Sequence, residues 1–486
     1  MLGKYGPLDH RLADEQQTFA RPLRSLLQRA AVTCDGGSTL VEVAVLMRSQ
    51  GVGSIVVVDA QAHPVGIVTS HDMVRVAAEN GGARRVDEIM SSDPVSLPAH
   101  ALAYEAAVTM TARRIRHILV MDEGRLIGVV SERDLFSLQR LGLGEISMEL
   151  RLAGDLAVLG ALAAEIRKLT HRLVEQGVAP EQLMLFVSVL NDRLSQRVIE
   201  IVRKRHDLER ISWCWLAFGS EGRFEQTLAT DQDNGLIFAA HEGAALPQVR
   251  ARLLAFAREV NEALDACGFP LCKGNIMASI PALCLSREEW QAKMSGWIEI
   301  SMPKALLDAA ICFDFRALYG DASLAAALRE WVNARVRRQP AFLRHMAQAA
   351  LEARPALNRL GGFATGDPPN APGTLNLKLQ GARIFIDAAR IYALASGVPH
   401  TNTADRLRAV RDAQAMSETD AAAATDAFYL VQGLRLQNQV SRQTGEPEAA
   451  NCIAPERLSR ISQAALKEAL RTAKDLQNRL ALDYQL

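Results

Sequence analysis

Two copies of one pattern occupy the first third of this 486-residue chain, and an internal repeat constrains the architecture more than any single motif. Residues 40–59 align with residues 102–122 at a nearly constant offset of 63. After one deletion in the turn, residues 66–72 (GIVTSHD) align with residues 128–134 (GVVSERD). Each copy reads as an amphipathic helix, two short apolar strands and a second helix. We therefore expect two similar halves that pack as a pseudo-twofold pair.

The end of each copy reads Gly, two apolar residues, Thr or Ser, two variable residues and Asp. This ending resembles the cystathionine β-synthase (CBS) domain, and residues 21–140 resemble the tandem CBS module that binds adenine nucleotides. The resemblance implies that the hydroxyls lie near the ligand phosphates and that the carboxylates accept hydrogen bonds from the ribose. It also implies a homodimer formed through the CBS pair. The residues concerned are Thr69, Asp72, Ser131 and Asp134.

A second interpretation of the same four residues needs no ligand. Thr69 and Ser131 have the chemistry of helix N-caps, and Asp72 and Asp134 would lie in the first turn, where a negative charge complements the helix dipole. The sequence leaves both interpretations open, and it does not select among ATP, ADP and AMP.

Composition excludes several classes of protein. Lys and Arg together number 55, as do Asp and Glu, so the chain has no overall basic field to hold nucleic acid. Seven cysteines without a Cys-x-x-Cys pair favour reduced thiols in the cytoplasm over disulfides or a zinc site. The N-terminal residues lack the apolar segment of an export signal, and charges interrupt every later apolar run well before ~18 residues. We therefore expect a cytoplasmic protein that does not bind membranes.

Helical periodicity dominates the segment that follows the repeat. Residues 155–177 and 180–206 carry apolar residues at helical spacing, and Pro180 suits a first helical turn. The sequence predicts an N-terminal tail over residues 1–20 and a helical connector over residues 141–206.

A strand, a turn and two carboxylates then follow in close succession. The apolar run 212–218 ends at Gly219 and Ser220, where a glycine turn can present backbone N–H groups and a hydroxyl to phosphates. Asp231 and Asp233 open the next apolar run, and the two-residue period of a strand places both on one face, roughly 6 to 7 Å apart. Two carboxylates so placed, with waters and substrate phosphates, suit Mg²⁺. An isolated Asp-x-Asp can equally be a solvated strand end.

Asp314 is the candidate third carboxylate. It lies in the apolar run 310–319, where a charge is costly without a partner or a metal. We expect Asp314 to be the third metal ligand and the catalytic base. The alternative is a salt bridge to Arg316 on the same face.

These motifs together resemble the nucleotidyltransferase superfamily that includes DNA polymerase β, aminoglycoside nucleotidyltransferases and the PII uridylyltransferase. The segment GSEGRFEQTLATDQDNGLIF closely resembles the nucleotidyltransferases that follow CBS pairs in bacterial signalling proteins. By resemblance, Gly219 and Ser220 hold the triphosphate of an NTP substrate. Arg223, Lys273 and Asn275 would surround the nucleotide or the acceptor.

The resemblance also fixes the expected architecture, an α/β multidomain protein. The CBS pair, an α+β repeat, would be followed by a polymerase-β-like nucleotidyltransferase core over 207–325, with a mixed sheet and helices. A helical substrate-binding bundle would occupy 326–486. Lys378, Arg383 and Arg435 in the bundle could reach the triphosphate, although basic residues on a helix commonly form its solvated face.

The function that follows is a nucleotidyltransferase that uses two Mg²⁺ ions, with Asp231, Asp233 and Asp314 as ligands and a protein as acceptor. Binding of an adenine nucleotide to the CBS pair would regulate it. Two alternatives remain open: a non-catalytic nucleotide-sensing adaptor, and an enzyme that modifies a small molecule. The sequence does not specify the nucleobase, so it does not distinguish uridylyl transfer from adenylyl transfer.

Overall fold

The computed structural model divides the chain into two compact units, Met1–Ser147 and Met148–Leu486. It describes residues 22–27, 29–78, 85–113, 115–137, 143–228, 230–239, 245–300, 310–358, 361–366, 372–441 and 449–486. The predicted tail over residues 1–20 lies outside these residues. Among the described helices, none combines the length and the apolar composition needed to cross a membrane.

The first unit contains the repeat as two small sheets with helices. The first sheet has the strand order β1-β2-β3-β4 and the second the order β5-β6-β7. In each copy the first strand pairs in parallel with the second, and the second pairs antiparallel with the third. The strands are β1 (Thr33–Asp35), β2 (Ser54–Val58), β3 (Pro64–Thr69), β4 (Ser91–Ser92), β5 (Ser96–Pro98), β6 (His117–Asp122) and β7 (Arg125–Ser131).

The helices of this unit follow the same repeat. They are α1 (Leu40–Gln50), α2 (Ser70–Ala78), α3 (Ala103–Arg113) and α4 (Glu132–Ser137), and α5 (Leu143–Leu152) leads into the second unit. Thr39 and Glu42 form a reciprocal capping box at the start of α1, and Gly51 ends the helix at a φ of 62°. Val56 and Ile67 of the first half pack with Leu119 of the second. The expected pairing of two similar halves is confirmed.

The second unit is built around a four-stranded mixed sheet. Its strands are β8 (Ser212–Ala217), β9 (Asn234–Ala239), β10 (Cys284–Ser286) and β11 (Arg316–Gly320), in the order β10-β9-β8-β11. β9 and β10 are parallel, whereas β8 is antiparallel to both β9 and β11. The central strands are almost fully buried, which explains their unbroken apolar sequence.

Helices cover this sheet and form the C-terminal half of the unit. They are α6 (Leu156–Glu175), α7 (Pro180–Arg203), α8 (the single turn Gly219–Gly222), α9 (Leu246–Ala266), α10 (Arg287–Ile300), α11 (Ala322–Val336), α12 (Pro340–Ala350), α13 (Arg383–Ser396), α14 (Thr403–Asp412), α15 (Glu418–Ser441) and α16 (Arg460–Asp483). A short pair, β12 (Leu375–Asn376) with β13 (Cys452–Ile453), joins two parts of this helical region. The predicted combination of mixed sheets with a helical C-terminal region is confirmed.

The segment predicted as a helical connector, residues 141–206, contains α6 and α7. Both helices belong to the second unit, and α7 packs against α9 and β11. Asp192 on α7 forms an ion pair with Arg316 on β11, with 2.7 Å between Oδ1 and Nη2. Gln196, one turn further along, donates a hydrogen bond to the carbonyl oxygen of Leu318. The helical period was read correctly, but it does not reveal which surface the apolar face will cover.

Candidate active site

The turn after β8 is tightly constrained, and two glycines make it possible. Gly219 has a φ of 54°, and a Cβ there would lie 2.9 Å from Oδ2 of Asp233. At Gly222 a Cβ would lie 1.9 Å from the carbonyl oxygen of Asp314, a contact that no side chain can make. The turn therefore holds the backbone of residues 219–222 directly against two of the predicted site residues.

The two carboxylates of the Asp-x-Asp motif lie next to this turn. They occupy an extended segment that precedes β9, which begins at Asn234. The N–H of Phe218 donates to the carbonyl oxygen of Asp233 at 2.8 Å and so ties the segment to the end of β8. Gln232 points the other way, is buried, and donates to the carbonyl oxygens of Asn261 and Phe269. The predicted alternation is therefore present.

Cys272 joins the two carboxylates. Ligand atoms of Asp231, Asp233 and Cys272 all lie within 4.8 Å of one another, and the Cys272 thiol donates to Oδ1 of Asp233 at 3.4 Å. Burial, followed by the charge of Asp231, raises the pKa of Asp233 to about 7. The charges of Lys378 and Arg223 oppose that shift. Two hard carboxylate ligands that repel each other suit a divalent cation such as Mg²⁺, whereas a thiol is a soft ligand and does not.

Asp314 does not belong to this carboxylate pair, and its prediction as a metal ligand and base is wrong. It lies in the bend between a helical turn at residues 310–313 and β11, not within a strand. Its fully buried carboxylate binds three guanidinium groups at 2.6–2.7 Å, those of Arg223, Arg390 and Arg406. Burial alone would raise the pKa of Asp314, but these charges hold it far below its usual range.

The alternative for Asp314, a salt bridge to Arg316, is also wrong. Arg316 pairs with Asp192 and donates to the carbonyl oxygen of Glu221. A carboxylate whose oxygens are both occupied by arginines can neither bind a metal nor accept a proton readily. Asp314 is the centre of a buried ion-pair cluster that joins the turn after β8 to α13 and α14.

A cavity of about 270 Å³ opens beside the carboxylate pair. Its lining includes Gly219 and Ser220, as the sequence predicted, together with Asp231 and Asp233. A basic wall faces the cavity; its members are Arg223, Lys378, Arg383, Arg390 and Arg435. Apolar lining comes from Ile311, Met346, Leu379 and Ile386. The cavity therefore combines two carboxylates, a basic wall and an apolar patch in one enclosure.

All members of the basic wall except Arg223 come from the helical region. Lys378 and Leu379 begin a π-helical turn, Lys378–Ala382, that leads directly into α13. Such turns are frequent at functional sites because the extra residue per turn redirects side chains. Within α13, Asp387 binds both Arg383 and Arg390 at helical spacing. Lys378, Arg383 and Arg435 all line the cavity, and their contact with a triphosphate stays a prediction.

Arg223 has two roles in this geometry. It lines the cavity, and it also donates to Glu225 and Asp314 at 2.7 Å each. Glu225 in turn accepts from the N–H of Thr403 at the start of α14. Arg223 is therefore held rigidly between the turn after β8 and the helical region.

Lys273 and Asn275 are not brought to the cavity. Both are exposed and lie outside the described residues that line it, although their neighbour Cys272 contacts Asp233. Asn275 has a φ of 57°, which serves the turn that follows Cys272. Three residues near the cavity were not among the predicted site residues: Cys272, Asp387 and Gln432. The spacing of Asp387 between two arginines was a usable signal, whereas nothing in the sequence marked Cys272.

In the first unit, the four predicted ligand-binding residues form two matching capping arrangements. The N–H and Oγ1 of Thr69 donate to Oδ2 of Asp72 at 3.0 and 2.7 Å, and the N–H of Asp72 donates back to Oγ1 at 3.4 Å. Ser131 and Asp134 repeat this pattern at 2.8, 2.6 and 3.2 Å. The capping interpretation is confirmed, and the role of these residues towards a ligand stays a prediction.

His117 links the two capping sites electrostatically. It is the first residue of β6 and pairs with Ser131 across the sheet. Burial, followed by the charge of Arg116, lowers the pKa of His117, and the charges of Asp134 and Asp72 oppose that shift. The carboxylates of the two halves therefore both act on one imidazole.

Comparison with known families divides the chain along similar lines. Residues 23–79 and 86–140 each match the CBS domain. Residues 164–304 match the family described as "Putative nucleotidyltransferase DUF294", and residues 340–484 match "Putative nucleotidyltransferase substrate binding domain". The first of these two regions includes most of α6, all of α7 and the carboxylate pair.

The curated relatives each match about a quarter of the chain's length. An uncharacterised protein of Methanopyrus kandleri is 30% identical over 130 residues, which are 26% of this chain and 65% of that protein. The protein YlbB of Bacillus subtilis, also uncharacterised, is 30% identical over 116 residues, 23% of this chain and 78% of YlbB. An inosine-5'-monophosphate dehydrogenase of Korarchaeum cryptofilum is 32% identical over 127 residues, 25% of this chain and 26% of that enzyme. The chain spans 65% or less of the length of the first curated relatives it matches.

Two solved structures resemble the chain over a similar extent. A CBS-domain containing protein of Agrobacterium tumefaciens is 28% identical and covers 25% of this chain and 96% of its own, with a TM-score of 0.24. A CBS domain protein of Pyrobaculum aerophilum complexed with AMP is 27% identical and covers 26% of this chain and 99% of its own, also with a TM-score of 0.24. The chain belongs to the CBS-domain proteins in which a DUF294 domain and its substrate-binding domain follow a CBS pair.

Proposed function

We propose that the chain is a magnesium-dependent nucleotidyltransferase that transfers a nucleoside monophosphate from an NTP to an acceptor protein. The supporting observation is the arrangement of charge around the cavity, where the carboxylates of Asp231 and Asp233 face a wall of basic side chains. A metal–triphosphate complex needs both features, because the cation requires oxygen ligands and the phosphates require positive charge.

The side chains around the cavity suit distinct parts of such a substrate. Asp231 and Asp233 hold Mg²⁺, and when bound it supplies the Lewis acid that offsets charge on the phosphate oxygens. Gly219 and Ser220 provide a turn without a Cβ that lets phosphates approach the backbone. Because Asp314 is occupied by arginines, a second ion would depend on the substrate's own phosphates for its remaining ligands.

The proposed reaction balances as a single displacement. The oxygen of the acceptor hydroxyl forms a bond to the α-phosphorus, the bond from that phosphorus to the bridging oxygen of the β-phosphate breaks, and pyrophosphate leaves. The hydroxyl proton passes to solvent or to a carboxylate of the Asp231–Asp233 pair. The side chains of the basic wall stabilise the charge that accumulates on the leaving pyrophosphate. Positioning of the two reactants by these fixed groups supplies the remaining rate enhancement.

A labelling experiment tests this function and identifies the nucleobase of the substrate. The protein is incubated with Mg²⁺, cell extract and each of the four NTPs, labelled either at the α- or at the γ-phosphate. We expect α-label, but not γ-label, to enter an acceptor protein with one NTP, which distinguishes uridylyl from adenylyl transfer. The matched controls are Asp233→Asn, which should abolish labelling, and Asp475→Asn, an exposed carboxylate on α16, which should not.

The outcomes separate the proposed enzyme from its alternatives. Label in a small molecule would favour small-molecule modification. NTP binding without any transfer would favour the non-catalytic adaptor. Equal labelling by the Asp233→Asn variant would contradict the assignment of the catalytic site.

We further propose that the CBS pair binds an adenine nucleotide and regulates the transferase. The matching arrangements at Thr69–Asp72 and Ser131–Asp134 support this proposal, because each places a carboxylate, a group suited to accept hydrogen bonds from ribose hydroxyls, at the start of a helix in the same position of the two halves. Calorimetry of the full chain with ATP, ADP and AMP tests it. Asp72→Asn and Asp134→Asn retain an oxygen acceptor for the helix cap but lose the charge, so they should weaken binding without unfolding the module. Wild-type protein that binds none of the three nucleotides would contradict the proposal.

A further inference from the structure

Buried arginines are numerous around the cavity, and nearly all of them have a carboxylate partner. Arg223 pairs with Glu225 and Asp314, and Arg406 also pairs with Asp314. Arg390 pairs with Asp314 and Asp387. The positive charge of each of these side chains is therefore offset within the protein.

Arg435 on α15 is different. It is only 6% exposed, and its Nε and Nη2 donate to Oδ1 of Asn451 at 3.1 and 2.9 Å. Its Nη1 donates to Oε1 of Gln432. Both partners are uncharged amides, and no carboxylate of the described residues forms an ion pair with it. Its hydrogen bonds hold the guanidinium in place but supply no counter-charge.

Arg329, a half-buried arginine of the same unit, provides a comparison. Arg329 also lacks an ion pair among the described side chains, but it donates to the carbonyl oxygens of Phe313 and Phe315 and lies over the ring of Phe315. It does not line the cavity. Arg435 does line the cavity, where a ligand can reach it.

The surroundings of Arg435 favour an anion. Burial, followed by the charge of Arg223, lowers the pKa of Arg435 to about 10, and Glu225 opposes that shift. A bound anion would remove the cost of burying this charge, so part of the ligand's binding energy is already built into the folded protein.

The carboxylate pair and Arg435 line the same cavity, together with Arg223 and Lys378. The charge of Arg223 acts on both Asp233 and Arg435, and the charge of Lys378 also acts on Asp233. A ligand that reaches both the carboxylate pair and Arg435 must carry a metal-binding group and an anionic group. A linear polyphosphate carries both.

We propose that Arg435, held by Gln432 and Asn451, forms the subsite for the terminal phosphate of the substrate. This inference rests on the proposed function for the identity of the substrate. The ligand class, a polyphosphate, is the same whether or not the protein transfers a nucleotide. The subsite binds the γ-phosphate of an NTP, and the same group after transfer is one end of the leaving pyrophosphate. The uncharged amides hold the guanidinium in position without neutralising its charge. A carboxylate partner would neutralise it.

Binding of inorganic tripolyphosphate to the full chain without divalent metal tests this subsite. Calorimetry should show binding to the wild-type protein that Arg435→Gln weakens at least ~10-fold, or ~1.4 kcal/mol. Arg408→Gln, a change at a partly exposed arginine paired with Glu181 and Asp405, is the matched control and should bind as wild type does. Asp231→Asn should also bind metal-free tripolyphosphate, because the metal ligands are not needed for it.

Further arms separate this inference from the function on which it rests. With Mg²⁺ present, Arg435→Gln should reduce the affinity for an NTP much more than for the corresponding NMP, which lacks the terminal phosphate. If transfer is never observed but tripolyphosphate binding depends on Arg435, the subsite stands and the enzyme does not. Equal tripolyphosphate affinity of wild type and Arg435→Gln would overturn the subsite. Should Arg435→Gln not fold, Arg435→Lys replaces it as the test. This variant keeps the charge but loses the guanidinium that Gln432 and Asn451 hold in position. Unchanged affinity for both NTP and tripolyphosphate would then overturn the subsite.

Discussion

Arg390 on α13 donates two hydrogen bonds to Asp314, from Nε to Oδ1 at 3.0 Å and from Nη2 to Oδ2 at 2.6 Å. These residues are 76 positions apart in the chain, and both are almost completely buried. The contact joins the bend before β11 to the helical region that forms the basic wall of the cavity. Asp314 therefore fixes the position of arginines that line the cavity and is not free to bind metal.

Loss of the Asp314 charge should destabilise the protein strongly. In Asp314→Asn, three buried guanidinium groups lose their shared counter-charge, and removing one partner of a buried ion pair costs about 3–5 kcal/mol. Urea unfolding of the second unit should show a loss of that size, with Mg²⁺ binding retained by the folded fraction. A stable variant that has lost only its Mg²⁺ affinity would show instead that Asp314 is a ligand.

Loss of a carboxylate from the Asp231–Asp233 pair should abolish stabilisation by metal without destabilising the metal-free protein. We expect Mg²⁺ or Mn²⁺ to raise the melting temperature of wild-type protein, since a ligand at 100 times its Kd stabilises by about 2.7 kcal/mol. Asp231→Asn and Asp233→Asn should lose this gain while remaining as stable as wild type without metal, because each removes like-charge repulsion. Asp475→Asn serves as the control. An undiminished metal response in both variants would rule out the pair as the metal site.

Gly219 should tolerate no side chain. Gly219→Ala would strain the backbone at a φ of 54° and place a Cβ 2.9 Å from Oδ2 of Asp233. We expect a loss of about 1–3 kcal/mol in stability together with a weaker metal response. Gly296 in α10 has open space around it among the described residues, so Gly296→Ala should be neutral or stabilising. Equal melting temperatures of the two variants in differential scanning calorimetry would contradict the close contact between position 219 and Asp233.

Glu221 should make the stability of the second unit depend on pH. Burial, followed by the charge of Asp192, raises the pKa of Glu221 to about 8, from 4.5. Between these pH values the unfolded chain has lost a proton that the folded protein keeps. Stability should therefore fall as pH rises through this range, by on the order of 1 kcal/mol per pH unit.

Glu221→Gln removes this titration and tests its sign. Unfolding measured from pH 5 to pH 9 without metal should show a shallower decline than in wild type, with part of the slope remaining because the pKa of Asp233 is also raised. Above pH 8 the variant should be the more stable protein. Parallel curves for the two proteins would mean that Glu221 ionises normally.

Local patterns predicted the parts of the molecule that local interactions determine. The repeat gave both CBS halves, and the two-residue period gave the common face of Asp231 and Asp233 with Gln232 turned away. Those features depend on backbone geometry and on hydrophobic contacts close in sequence.

Features that depend on distant partners could not be predicted in this way. A carboxylate in an apolar segment can be neutralised by a metal or by arginines, and the arginines that neutralise Asp314 come from positions 223, 390 and 406. The sequence likewise shows the helical period of α6 and α7 but not the sheet against which they pack. Cys272 reaches Asp233 only because the chain folds back after α9.

Release of pyrophosphate from an NTP, compared with the label fixed on the acceptor, tests the central claim most directly. The full chain is incubated with Mg²⁺, the preferred NTP and cell extract, and both products are quantified with wild type and with Asp233→Asn. Nucleotidyl transfer at the Asp231–Asp233 site predicts one pyrophosphate for each nucleoside monophosphate fixed, and neither product with the variant. Release of orthophosphate in place of pyrophosphate, or equal yields from wild type and Asp233→Asn, would contradict this account.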